Sequence, residues 1–211
     1  SKLVGDVEFG GRLIPYDEFV APAFMAVSAM NGAIFESTMN IFGKLKQQRL
    51  YDSVLSTPLG PMDVVLGEIG FSMLRGLVYS VAFLISMGAM GLVGSWWMLL
   101  AIPVCSLIGF AFSAVGMAAT TFMRSWEDTE YVNSVQLPLF LFSATFFPVA
   151  SYGDWAWVAQ LSPLYHGVAI IRSLNAASFG IEIVGHVAVL VAISLVGITV
   201  AARRIRRLLL P

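Results

Sequence analysis

The residues able to act as nucleophiles, bases or metal ligands are few, and their spacing argues against an enzyme. His166 and His186 are tied by sequence to no serine or acid, and no G-x-S-x-G turn presents Ser113 or Ser143 as a nucleophile. Histidine, cysteine and acidic residues nowhere fall at ligand spacing, so no metal site is expected. The histidines read instead as satisfied structural groups at an interface. The single cysteine, Cys105, lies in an apolar run and has no internal partner for a disulfide, so it reads as a small buried hydrophobe. The one Gly-Lys pair, Gly43-Lys44, is followed by Leu45, and no G-x-x-x-x-G-K-[ST] phosphate loop exists. Catalytic, cofactor-binding and metal residues are therefore expected to be absent from this chain.

More informative are ionisable and polar groups embedded in apolar surroundings, because a charge at the bilayer centre costs about 2.5–3.5 kcal/mol even on lenient scales. Glu36 shares a helical stripe with Gly32 and Asn40. Such a stripe faces protein or a wet cavity, either as a contact for a substrate headgroup or as a structural carboxylate satisfied by a neighbouring helix. Arg75 lies two turns beyond Glu68 on the same face, where its long chain can snorkel to water; Glu68 reads as a partner contact or part of an interfacial charge network. Gly109, Ser113, Gly116 and Thr120 line one helical face, which points to close helix packing.

The elements that must position these residues follow from composition. Of 211 residues, 58% are hydrophobic and 12% charged, and the mean hydropathy is +0.82. A soluble chain carries roughly 25% charged residues, so this is an all-α integral membrane protein, read as one domain over residues 1–211. Five stretches approach the about 20 apolar residues that a span needs: 19–42, 69–93, 96–122, 132–150 and 181–202. Residues 151–180, rich in Trp, Tyr and Gly, read as an extracellular or re-entrant segment. Residues 1–16 lack the apolar run of a signal peptide.

Lys44, Lys46 and Arg49 follow the first stretch, Arg124 the third, and Arg203, Arg204, Arg206 and Arg207 the last. Because cytoplasmic loops hold the excess of Lys and Arg, residues 1–18 are expected outside and the tail 203–211 in the cytoplasm. The alternate loops hold only Arg172 as a firm cation. Trp96, Trp97, Tyr152, Trp155, Trp157 and Tyr165 mark the outer headgroup level, and Tyr51, Trp126 and Tyr131 the inner one. No cationic stripe suited to nucleic acid is present. An odd number of spans starting outside, in a chain that opens on Ser1, predicts one more span upstream, six in all.

The connection 43–68 is too long for a minimal turn. Ser56 or Thr57 can cap a short helix, Pro58 or Pro61 suits its first turn, and Asp63 complements its dipole. Leu59, Met62, Val64, Val65 and Leu66 are then left for a partner surface or the membrane interface.

Three runs carry a family resemblance: E-F-V-A-P-A-F-M-A-V-S-A-M-N-G-A-I-F-E-S-T over 18–38, Q-R-L-Y-D-S-V-L-S-T-P-L over 48–59 with V-L-G-E over 65–68, and F-F-P-V-A-S-Y through L-S-P-L-Y-H-G-V-A-I-I-R over 146–172. Together they resemble the permeases of type-two ABC exporters, most closely the branch of lipo-oligosaccharide (nodulation-factor) and drug exporters. Ala23 stands where that branch usually has Gly after the proline.

The resemblance implies a dimer of permeases in the plasma membrane, in bacteria the inner membrane. Each copy docks a short coupling element into a separate ATPase subunit, which holds the ATP and Mg. Thr57, Pro58, Leu59, Pro61, Met62, Asp63, Val65 and Glu68 match that coupling element. Asn31, Glu36, Asn40, Phe146 and Phe147 are the candidate path for an amphipathic substrate, a lipid-linked saccharide, glycolipid or hydrophobic drug, that enters from the lipid bilayer. The alternative from another class is an ion-coupled secondary transporter in which Glu36 carries a proton.

Overall fold

The computed structural model describes residues 5–9, 12–47 and 50–209. Two short strands, β1 (Val7–Phe9) and β2 (Arg12–Ile14), pair antiparallel with Val7 opposite Ile14. Helix α1 (Tyr16–Phe35) follows Pro15, with Asp17 and Glu18 in the first turn, where the helix dipole favours acids. It continues through two π-helical turns, Glu36–Asn40 and Gly43–Gln47. The first is explained by its side chains: the Ser37 and Thr38 hydroxyls both donate to the Ile34 carbonyl, at 3.3 and 2.7 Å, competing for an acceptor of the regular ladder.

Then come α2 (Leu50–Leu55), α3 (Pro61–Ala89), a 3-10 turn at Trp96–Leu100, α4 (Ala101–Thr120) and α5 (Asp128–Leu141). A second 3-10 segment (Val149–Trp155), α6 (Ala156–Leu161), α7 (Pro163–Asn175) and α8 (Glu182–Leu209) complete the described chain. Among the described residues, four helices are long and apolar enough to cross a membrane: Tyr16–Lys46, Pro61–Ala89, Trp96–Thr120 and Glu182–Leu208. They coincide with four of the five expected stretches and give an all-α membrane architecture.

The remaining stretch, 132–150, differs in extent. Its helix α5 has 14 residues, about 21 Å at 1.5 Å per residue, against a hydrocarbon core of about 30 Å. Pro138 inside the helix lacks an amide donor, Phe142 N–H closes the end on the Pro138 carbonyl at 2.8 Å, and Ala144 turns to φ 57°.

Helix α4 packs along α8, α3 and α1, while α7 wedges between α1, α8 and α4. Small residues permit this approach. A Cβ on Gly197 of α8 would fall 2.7 Å from the carbonyl carbon of Ala114, and one on Gly116 2.1 Å from Ser37 Oγ. The Thr120 hydroxyl bridges α4 to the Ser37 carbonyl at 2.9 Å, so the small-residue face of this helix does serve packing.

The bundle has two chemically different ends. At the aromatic end, Gly94 N–H donates to the Asn175 side chain at 2.8 Å and Trp97 packs on Phe179 at 5.0 Å. At the cationic end, Lys44 pairs with Glu68 and Arg204 donates to the Thr121 carbonyl. Helix α7 runs from the interior of the bundle to its aromatic end. Pro163 at its start lies beside Phe112 and Gly116, midway along α4, and Asn175 at its close reaches the aromatic end.

Candidate functional site

Helices α1 and α3 run antiparallel and are joined by two charge pairs of opposite sense, the ion pairs found among the described residues. Near the cationic end, Lys44 of α1's extension meets Glu68 of α3 at 2.8 Å. Deeper in, Arg75 Nη1 of α3 donates to Glu36 Oε2, and Asn40 Nδ2 donates to Glu36 Oε1. Glu36 is 1% exposed while the Arg75 side chain is 41% exposed. The π turn that Glu36 opens brings Asn40 back onto its carboxylate. Arg75 also lies over the Phe35 ring at 5.7 Å. The expectation of an Arg75 that merely snorkels is therefore corrected: it is the counter-ion of Glu36, and Glu68 is held by Lys44. A groove of about 680 Å³ opens beside this cluster, lined by Phe35, Met39, Phe71, Leu74 and Val78 around Glu36, Asn40 and Arg75.

The other candidates for a substrate path stand apart. Asn31 accepts from Gln136 of α5, a partner that sequence reasoning missed. Phe146 packs edge-on with Phe24 and Phe140, at 5.9 and 5.0 Å, and Phe147 is exposed. Only Glu36 and Asn40 share one site.

The connecting segment also differs from expectation. No short helix starts at Thr57. The Thr57 hydroxyl donates to the Val54 carbonyl at 2.6 Å and accepts from Leu59 N–H at 3.4 Å, closing a turn after α2. The helix start falls at Gly60, which is extended, with Pro61 as first residue and Asp63 accepting from Gly60 N–H at 2.8 Å. From Pro61 the helix runs unbroken into the membrane, so the separate short helix is α2.

Of the apolar residues assigned to a partner surface, Leu59 (51%), Met62 (45%) and Leu66 (47%) are exposed, whereas Val64 and Val65 are buried in the core. Thr57, Pro58 and Asp63 are exposed, and Pro61 and Glu68 half-buried. A cavity of about 370 Å³ under this lip is lined by Lys44, Tyr51, Val54, Leu59, Asp63 and Glu68. Burial, then the Glu68 carboxylate beside it, pushes the Tyr51 phenol above its ordinary range. Arg49, one of the expected cations, lies outside the described residues.

At the aromatic end Arg172 is not a loop cation. It is buried in α7 and donates from Nε to the Phe19 carbonyl at 3.1 Å, from Nη1 to Ala144 at 2.7 Å and from Nη2 to Thr145 at 2.9 Å, with Phe19 under its plane at 3.7 Å. One guanidinium thus staples α7 to α1 and to the turn that ends α5. His166 and His186, unpartnered in the sequence reading, meet each other with Nδ1 atoms 2.8 Å apart. Cys105 is buried and free. Among the described residues no three His, Cys, Asp or Glu side chains cluster to hold a metal.

The family model for the ABC-2 type transporter matches residues 6–175. Nodulation protein J of Sinorhizobium fredii (strain NBRC 101917 / NGR234) is 32% identical over 161 residues, 75% of this chain and 62% of that protein. Nodulation protein J of Rhizobium leguminosarum bv. trifolii is 27% identical over 199 residues, 93% of this chain and 76% of that protein, and the Rhizobium meliloti (strain 1021) protein of that name is 26% identical over 200 residues, 94% and 76%. The chain thus spans between 62% and 76% of the length of these relatives. No solved structure matches it significantly. The chain belongs to the ABC-2 type transporter family and is a multi-pass membrane protein.

Proposed function

We propose that the chain is the permease half of an ATP-driven exporter that moves an amphipathic substrate, a lipid-linked saccharide, glycolipid or hydrophobic drug, out across the plasma membrane. ATP and Mg reside on a separate ATPase subunit, and two permease copies form the path. The observation that carries the reading is the lip at Leu59, Met62 and Leu66. Three large apolar side chains stand exposed at the cationic end, on a turn and the first two helical turns that follow the Gly60–Asp63 cap. Because α3 runs from Pro61 to Ala89 without a break, a push on the lip travels as helix motion to the Glu36–Arg75 cluster. Such a lip serves a partner protein that delivers force.

The groove beside Glu36, Asn40 and Arg75 supplies the substrate end of the reading. It sets a polar cluster of balanced charge among Phe35, Phe71 and Leu74, so a polar head and an apolar tail both find complementary surface. The competing ion-coupled mechanism would make Glu36 its proton carrier, whereas the geometry gives its carboxylate a structural role, accepting from a guanidinium and an amide.

The test is Leu59→Asp with Met62→Asp. Both side chains are exposed, so the spans should assemble normally, while a carboxylate forced into an apolar contact is unfavourable by several kcal/mol. The double variant should lose the co-purifying ATPase and substrate-stimulated hydrolysis by tenfold or more. Retention of the ATPase and transport at the parental rate would overturn the coupling assignment. Flux driven by a proton gradient without ATP would replace the proposal with the ion-coupled one.

A further inference from the structure

The contact between α7 and spanning α8 contains two histidines whose tautomers the geometry determines. His166 Nε2 lies 2.9 Å from the Gln160 carbonyl, which can only accept, so the proton of neutral His166 is on Nε2 and its Nδ1 bears a lone pair. His186 Nδ1, 2.8 Å away, must then be the donor. Nε2 of His186 has no hydrogen-bond partner among the described residues.

Protonation of this pair proceeds in two unequal steps. The first proton goes to His186 Nε2, where it leaves the Nδ1–H···N bond in place. The second must go to His166 Nδ1, where it confronts another N–H at 2.8 Å and sets two cations face to face. We infer that the His166–His186 pair is an acid-released latch, holding α7 against α8 at neutral pH and letting it go as the pH falls.

The groups that face the pair are few. Tyr165 of α7 packs its ring on both imidazoles, at 5.4 and 5.7 Å. Glu182 stands one turn before His186 on α8. Arg172 and Glu8 line the same cavity of about 610 Å³ with Tyr165, Glu182 and His186; a released α7 enlarges that cavity. An ordinary histidine titrates near about 6.5, and the second proton of a close pair binds at lower pH. The latch is therefore intact at neutral pH and is lost as the pH falls far enough for the second proton to bind.

The experiment places spin labels at Leu161 and Val184, both exposed, in the complete protein with Cys105 replaced by Ser, reconstituted in nanodiscs. At pH 7.5 one short distance is expected; at pH 5 a second, longer population should rise at least tenfold. His166→Gln and His186→Gln each keep a neutral amide that can donate or accept, so both should show the short distance at either pH. An unchanged distribution in the parent protein overturns the latch. The same acid shift in either glutamine variant also overturns it, because Glu182 or Glu8 would then be responsible. The readout requires no transport, so its failure is distinct from failure of the exporter reading.

Discussion

At the scale of single residues, the Glu36–Arg75 pair is the most consequential arrangement inside the membrane. A buried carboxylate with two donors is satisfied, and removing one partner leaves a charge among apolar neighbours. Glu36→Gln and Arg75→Gln should each destabilise the protein, and the double change should cost less than their sum. A double-mutant cycle should show non-additive coupling between the two, weakened by solvent because Arg75 is half-exposed. Unfolding in mixed micelles measures it; strict additivity would mean that the pair contributes no coupling. The Gly32–Glu36–Asn40 stripe was readable from helical spacing, since it lies within one element. The partner on α3 was not, because one helix's periodicity says nothing of its register against another. A signal was nonetheless present: Glu36 and Lys44 are spaced on α1 much as Arg75 and Glu68 are on α3, with charges reversed.

At the scale of elements, four spans were legible because the bilayer imposes length and apolarity on any helix that crosses it. What hydropathy could not register is how a helix ends. Residues 142–150 remain apolar after α5 stops, and the stop is marked by Phe142 N–H closing on the Pro138 carbonyl and by the left-handed Ala144, whose carbonyl is held by Arg172. Likewise Thr57 and Gly60 both resemble helix starts, and only the hydrogen bonds reveal that Thr57 closes a turn while Gly60 and Asp63 open α3. Close packing of α8 on α4 gives a sharper test. Gly197→Ala places a methyl against the Ala114 backbone and should destabilise by about 1–3 kcal/mol. Gly70→Ala, where nothing lies within 4 Å, should be neutral or stabilising by up to about 1 kcal/mol. Equal effects of the two in the same unfolding assay would contradict the close α4–α8 contact.

At the scale of the whole molecule, charge separates the two ends of the bundle, and that separation dictates how it sits in a membrane. Arg203, Arg206 and Arg207 stand exposed at the close of α8, while Arg204 lies over the Phe122 ring at 4.2 Å. Lys44, Lys46 and Arg124 gather at the same end, whereas the aromatic end presents Trp96, Trp155 and Trp157 to the headgroup level. Translocating so many arginines is far less favourable than retaining them, and an anionic inner leaflet contributes about 1 kcal/mol per basic residue near its surface. The cationic end, with the Leu59 lip, is therefore expected in the cytoplasm, where an ATPase could reach it. Cysteines at Ser56 and Arg206, in a background lacking Cys105, should react with a membrane-impermeant thiol reagent only after cells are opened. A cysteine at Asp154, exposed in the segment between α5 and α6, should react in intact cells. Labelling of Ser56 or Arg206 in intact cells would invert the molecule and place its lip where no ATPase operates, so this measurement constrains the exporter reading as well as the topology.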